Sequence, residues 1–91
     1  MSTLADKIDF LFETFTKEDG EEYTYQEVEE GTGRAVTGAY VWQLRTGKKS
    51  NPGYRVLQAL SKFFDVPVGF FFGEVGREHV ENLKLATELR R

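Results

Sequence analysis

The sequence predicts an all-α fold, with five or six helices in one small domain. Apolar residues recur at spacings of three and four along several separate segments, which is the periodicity of an amphipathic helix, and no alternation of period two lasts long enough for a strand. Threonine, glycine and proline stand between these segments, where helices start and stop. A chain of 91 residues with 40% hydrophobic content is long enough for one core and too short for two.

The first helix is expected at the N-terminus, with Thr3 or Ser2 as its N-cap. Its apolar face is predicted to contain Leu4, Ile8, Leu11, Phe12 and Phe15. Residues 17–22 that follow are polar and include Gly20, so we expect a surface loop.

A second helix is expected to begin after Thr24, because Thr24 and Glu27 have the spacing of a capping box. Glycines at positions 31 and 33 each disfavour helix by about 1 kcal/mol relative to alanine. We therefore expect a short helix that ends near Glu30 or frays through Arg34.

A third helix is predicted over about residues 37–46, capped by Thr37 and stopped by Gly47. Pro52 suits the first turn of a fourth helix, because its missing N–H needs no partner there. The run Asp65–Val66–Pro67 should end that helix. Its buried stripe is predicted to contain Val56, Leu57, Leu60, Phe63 and Phe64.

The C-terminal part is predicted to hold one helical turn over residues 68–72, closed by Gly73, and a last helix from about Gly76 to Arg90. The three consecutive phenylalanines of the turn cannot all point inward. A last helix with few neighbours should keep part of its apolar stripe exposed, and exposed apolar stripes mark association surfaces. We therefore expect a symmetric homodimer, whose interface contains Phe71, Val80, Leu83 and Leu89.

Charge is distributed very unevenly along the chain, although the net charge is only −3. Residues 1–30 contain ten acids and two bases, and residues 65–91 contain five acids and four bases. Residues 31–64 contain no acid at all, and their six bases are Arg34, Arg45, Lys48, Lys49, Arg55 and Lys62. This asymmetry favours a surface that meets a polyanion.

Several classes of protein are disfavoured by what the sequence lacks. It contains no cysteine, no phosphate-binding loop of the GxxxxGK type and no GxSxG sequence, and its single histidine has no second histidine to share a metal. Early acids such as Asp6 and Asp9 are unlike a secretory signal, and the longest apolar stretch is far too short to span a bilayer. We expect a cytoplasmic protein that is not an enzyme and needs no cofactor, metal or small ligand.

The segment from Val36 to Pro52 provides the main functional motif. It resembles the lambda-repressor-like (Cro/C1, XRE-type) helix-turn-helix family at Thr37, Val41, Leu44, Gly47, Lys48 and Pro52. The resemblance continues through Leu57, Leu60 and the run at 63–67, and covers roughly residues 24–73. The stretch 40–47 and the phenylalanine-rich exit also resemble the actinobacterial EspR-type regulators, which bind DNA as dimers.

The resemblance implies a DNA-binding domain over residues 1–73, with a recognition helix at about 37–46, and a C-terminal dimerisation helix over 74–91. It implies that Gly38, Ala39 and Gln43 face base edges, with Trp42 beside them. Gln43 can form two hydrogen bonds to one adenine. Gly38 and Ala39 have no side chain that can hydrogen-bond to a base, so we expect only a modest sequence preference. Positions implied near phosphates or at the groove edge are Gln26, Thr37, Thr46, Lys48, Lys49, Ser50 and Asn51. Arg45 stands where the family commonly has an acidic residue, and it either adds positive charge towards the DNA side or is a surface arginine.

The sequence therefore predicts a duplex-DNA-binding transcriptional regulator or nucleoid-associated protein that acts as a homodimer. An alternative is a protein-interaction module, such as an anti-repressor, an antitoxin or a partner of another regulator, which keeps the fold without binding DNA. The net acidity favours the alternative, and so does the absence of hydrogen-bonding side chains at Gly38 and Ala39. The basic segment 31–64, which contains no acid, disfavours it.

Overall fold

The computed structural model describes residues 3–89, and within that range it is helical without strands. Its α-helices are α1 (Leu4–Thr14), α2 (Tyr25–Gly31), α3 (Gly38–Arg45), α4 (Tyr54–Phe64) and α5 (Arg77–Leu89), and a 3-10 helix (Val68–Phe72) lies between α4 and α5. The predicted all-α fold is confirmed.

Threonine caps begin the first three helices, as the sequence predicts. Thr3 and Thr24 each form a capping box, with Asp6 and Glu27 respectively. The backbone N–H of Thr24 donates to the Glu27 carboxylate at 2.8 Å, and this bond lowers the pKa of Glu27 from its usual value. Glu27 thus stays charged at the positive end of the helix dipole. Ser2, the other candidate cap for α1, lies outside the described residues.

The connection between α2 and α3 is a turn of two consecutive left-handed residues, Gly33 (φ 64°) and Arg34 (φ 65°). The N–H of Arg34 donates to the carbonyl of Glu29 at 2.8 Å, which closes the end of α2. α2 therefore ends at Gly31 and does not continue through Arg34. Left-handed geometry is free for glycine but costs roughly 1–2 kcal/mol at a residue such as Arg34.

α4 begins two residues later than Pro52 predicts. Gly53 is extended (φ −69°, ψ 161°) and is the N-cap, so Pro52 precedes the helix and does not belong to its first turn. The predicted end is confirmed, because Asp65 is left-handed (φ 57°) and closes the helix before Pro67.

α3 lies in the middle of the fold, packed against both α1 and α2, while α4 packs against α2 and the 3-10 helix. One core of buried side chains joins all the elements: Ile8, Leu11, Phe12, Val28, Val36, Val41, Leu44, Leu57, Leu60, Phe64, Val66, Phe70, Phe71 and Val80.

Two predicted dimer residues belong to this core. Phe71 is 7% exposed and Val80 is fully buried inside the chain, so the prediction that they face a partner is wrong. Among the consecutive phenylalanines it is Phe72, 53% exposed, that points outward. Leu89 is exposed and Leu83 is half-buried. Between residues 3 and 89, no helix combines the length and apolar character needed to cross a bilayer.

Candidate nucleic-acid interface

α3 presents one stripe of side chains to solvent and buries the opposite side. Val41 and Leu44 are fully buried between α1 and α2. The outer stripe consists of Ala39, Trp42, Gln43 and Thr46, which are spaced three, four and seven residues apart. Ala39, Trp42 and Thr46 are exposed, and Gln43 is half-buried. The structure thus brings four of the predicted contact residues onto one accessible face.

The N-terminus of α3 is held by two side chains. The hydroxyl of Thr37 accepts from the N–H of Tyr40 at 3.1 Å, which is the cap that the sequence predicts. A carboxylate oxygen of Glu29, on α2, accepts from the N–H of Gly38 at 2.8 Å. Two of the free N–H groups of this helix end are therefore already satisfied by the protein itself.

Gly38 itself is buried and cannot face a base edge, so that prediction is wrong. A Cβ at this position would lie 3.0 Å from the carbonyl oxygen of Tyr25, which is backbone of α2. Such a contact is tighter than Cβ atoms usually make, so glycine at this position lets the two helices approach closely. The exposed face of α3 therefore begins at Ala39.

A basic loop follows α3 and folds back onto it. Gly47 is left-handed (φ 83°), and the N–H of Lys49 donates to the carbonyl of Gln43 at 3.1 Å. The Lys48 ammonium lies 4.7 Å from the centre of the Trp42 ring, a distance at which a cation is attracted to the ring face. The loop therefore places Lys48 at the edge of the α3 stripe.

The remaining predicted contacts lie in the loop after α3 and on α2. Lys49, Ser50 and Asn51 are exposed in the same loop. Gln26 is exposed at the start of α2, where its side-chain amide donates to Glu30 at 3.3 Å. The hydroxyl of Thr46 donates to the carbonyl of Trp42 at 2.9 Å, so it is occupied by its own helix.

Arg45 points away from this face, which corrects the prediction that it adds positive charge towards DNA. Its side chain is 18% exposed, and it donates to Asp9 on α1 and contacts Glu22, both at 2.9 Å. It also donates to the Tyr25 hydroxyl at 3.4 Å and covers the Phe12 ring at 4.5 Å. Through these ion pairs Arg45 links α3 to α1 and to the loop before α2.

The pKa values around Arg45 reflect its acidic surroundings. Burial alone would lower the pKa of Arg45, but hydrogen bonds to Glu22, Asp9 and Tyr25 outweigh burial and raise it. Nearby, a hydrogen bond and repulsion from Asp9 raise the pKa of Glu13, and Arg45 counteracts that rise. The guanidinium thus neutralises a crowded acidic surface on α1.

Sequence reasoning missed the acids that hold α3. Glu29 is nine residues from Gly38, and Asp9 is 36 residues from Arg45. No local spacing links such pairs, because each bridges two helices whose packing is decided by the whole fold.

No family model matches this chain, and no curated protein is significantly similar to it. Within residues 3–89, no group of three or more His, Cys, Asp or Glu side chains is arranged to hold a metal ion.

Proposed function

We propose that this chain is a helix-turn-helix protein that binds duplex DNA, with α2 across the backbone and α3 in the major groove. The single observation that supports this most is the exposed stripe of α3 beside the folded-back basic loop. A major groove about 12 Å wide admits one helix, and the opposite face of that helix must be buried on its own domain. In α3 this buried face contains Val41 and Leu44. The proposal places the chain with the lambda-repressor-like regulators and in the cytoplasm.

The proposed division of contacts follows from the side chains on this face. Gln43 is the residue for direct readout, through paired hydrogen bonds to adenine, and Ala39 can meet a thymine methyl. Lys48 and Lys49 neutralise phosphates, with Ser50, Asn51 and Gln26 at the groove edge. Because few side chains on this face can read base edges, backbone contacts and DNA shape contribute most of the affinity.

The test is a titration of duplex DNA at two salt concentrations with the Lys48→Gln, Lys49→Gln double variant. We expect at least about tenfold weaker binding at low salt, and a log–log salt slope reduced by about 2, because each lost phosphate contact removes roughly one unit. Arg55→Gln, Lys62→Gln, which removes two exposed cations from α4, is the charge-matched control and should change neither. Absence of duplex binding by the unmodified protein at low salt would refute the proposal and favour the interaction-module alternative.

A homodimer is the second part of the proposal, and α5 is its interface. Leu85 and Leu89 are 55% and 78% exposed and lie four residues apart, so they form one apolar stripe with Ala86. A homodimer would carry two α3 helices, and dimeric DNA-binding proteins of this class bind paired half-sites. This interface replaces the predicted pair Phe71 and Val80.

Loss of this stripe should weaken self-association. We expect Leu85→Gln, Leu89→Gln to raise the dimer dissociation constant at least about tenfold in sedimentation equilibrium, because each exposed leucine would otherwise be buried by the partner. Tyr54→Gln, which removes an exposed aromatic ring elsewhere, is the control. If the unmodified protein is monomeric at millimolar concentration, α5 is not a dimer interface.

One structural observation favours the interaction-module alternative, in addition to the net acidity. The Glu29 carboxylate at the N-terminus of α3 places negative charge where DNA-binding helices usually offer free N–H groups. The same DNA titration decides between the two functions.

A further inference from the structure

A second basic surface lies outside the α3 face, in a groove between α4 and the end of α2. The groove has a volume of about 420 Å³, and Arg55 and Lys62 line it from α4. Both side chains are exposed, and neither belongs to any of the ion pairs that the described residues form. Two cations thus line one groove without forming an ion pair to an acidic side chain of residues 3–89.

Small residues give this groove its shape. Gly31, Ala35 and Ala59 line it, and the half-buried ring of Phe63 forms its floor. A Cβ at Gly31 would overlap the Phe63 ring, so the glycine allows the end of α2 to lie directly on that floor. The small residues thus leave space between the longer side chains of α4, and another helix can approach there.

The spacing of the two cations indicates what fits. Arg55 and Lys62 are seven residues apart on one helix, which is two turns and a rise of about 10.5 Å. A second helix lying along α4 repeats the same rise, so acids seven residues apart on it would meet both cations. Gln58, midway between them, offers a hydrogen bond at the centre of the channel.

We propose that this groove binds an acidic helix of a partner protein, with two carboxylates seven residues apart paired to Arg55 and Lys62. Charge complementarity supports an acidic occupant, because the residues that line the groove include two cations and no carboxylate. Docking of a helix into a groove is a recurrent mode of peptide recognition. The site includes neither α3 nor the 48–51 loop, so it does not depend on the proposed DNA-binding function.

The test is binding of a synthetic alanine-based helical peptide with two glutamates seven residues apart, measured by fluorescence anisotropy at low salt. Arg55→Gln, Lys62→Gln should weaken binding about tenfold, and Ala35→Leu, which keeps both charges but narrows the groove, should also weaken it. A peptide of the same composition with its glutamates on opposite faces should bind about tenfold more weakly. Lys48→Gln, Lys49→Gln is the control and should leave peptide binding unchanged.

Duplex DNA is titrated in parallel with the same variants. Loss of peptide binding with unchanged DNA binding supports the groove as a separate protein-docking site. Failure of the matched peptide to bind, or equal binding of both peptides, overturns the proposal. If the Arg55→Gln, Lys62→Gln variant loses DNA affinity but keeps peptide affinity, the proposal is also overturned, because the groove then belongs to the DNA surface. If the Lys48, Lys49 variant loses DNA binding while the peptide result stands, the two proposals are confirmed independently.

Discussion

Gly38→Val is expected to destabilise the protein by about 3 kcal/mol and to abolish duplex binding. A Cβ at Gly38 would meet the Tyr25 carbonyl oxygen at 3.0 Å and its carbonyl carbon at 3.1 Å. These atoms are backbone, so they cannot move aside as a flexible side chain can, and valine would add two methyl groups to the clash. Overpacking of this kind costs about 1–3 kcal/mol, and valine in a helix adds some further cost relative to alanine.

Ala39→Val is the matched control for stability, because it places the same side chain one residue along α3 on the exposed side. It should cost only about 0.5 kcal/mol, from helix propensity alone. Urea denaturation of the two variants gives the comparison. Equal stability of Gly38→Val and Ala39→Val would mean that α2 and α3 are not in close contact at this point, and the assignment of Gly38 as a packing residue would be withdrawn.

The burial of Gly38 could not be predicted from the sequence. Position within the motif predicts that Gly38 faces a base edge, but the crossing of α2 and α3 decides its burial, and that crossing depends on Tyr25 in another element. The caps at Thr24 and Thr37 were predictable, because each acts on N–H groups of its own helix within three residues.

The prediction that Phe71 and Val80 face a partner was wrong for a related reason. A helical stripe on α5 predicts that Val80, Leu83 and Leu89 are apolar neighbours, but not whether the chain's own core or a second copy covers them. The structure buries Val80 in the core and leaves Leu89 exposed. In the 3-10 helix, likewise, composition predicts that one phenylalanine points outward, and only the placement of the turn against α1 and α4 identifies it as Phe72.

Arg45→Met should destabilise the protein by about 2 kcal/mol at neutral pH. The methionine keeps much of the packing over Phe12 but removes the charge that bridges Asp9 and Glu22. Removing one partner of a buried pair costs roughly 3–5 kcal/mol. The carboxylates here are 46% and 42% exposed, so solvent screening reduces the expected loss.

The matched control is Arg55→Met, which removes an exposed arginine from α4 without breaking an ion pair within residues 3–89. It should change the free energy of unfolding by no more than about 0.5 kcal/mol. Adding Asp9→Asn and Glu22→Gln to Arg45→Met should recover roughly half of the loss, because the carboxylates then no longer repel each other. No recovery in this triple variant would show that Arg45 acts through packing alone.

The pH dependence of Arg45→Met separates charge from packing without further substitutions. Asp9 already raises the pKa of Glu13 in the folded protein, and Arg45 counteracts that rise. Without Arg45 the folded state should bind a proton at this acidic surface more readily than the unfolded chain does, so protonation favours folding. The deficit relative to the unmodified protein should therefore shrink as the pH falls from 7 to about 4. A constant deficit over this range would contradict the electrostatic role, and α3 would then be held in place by its apolar contacts with α1 and α2.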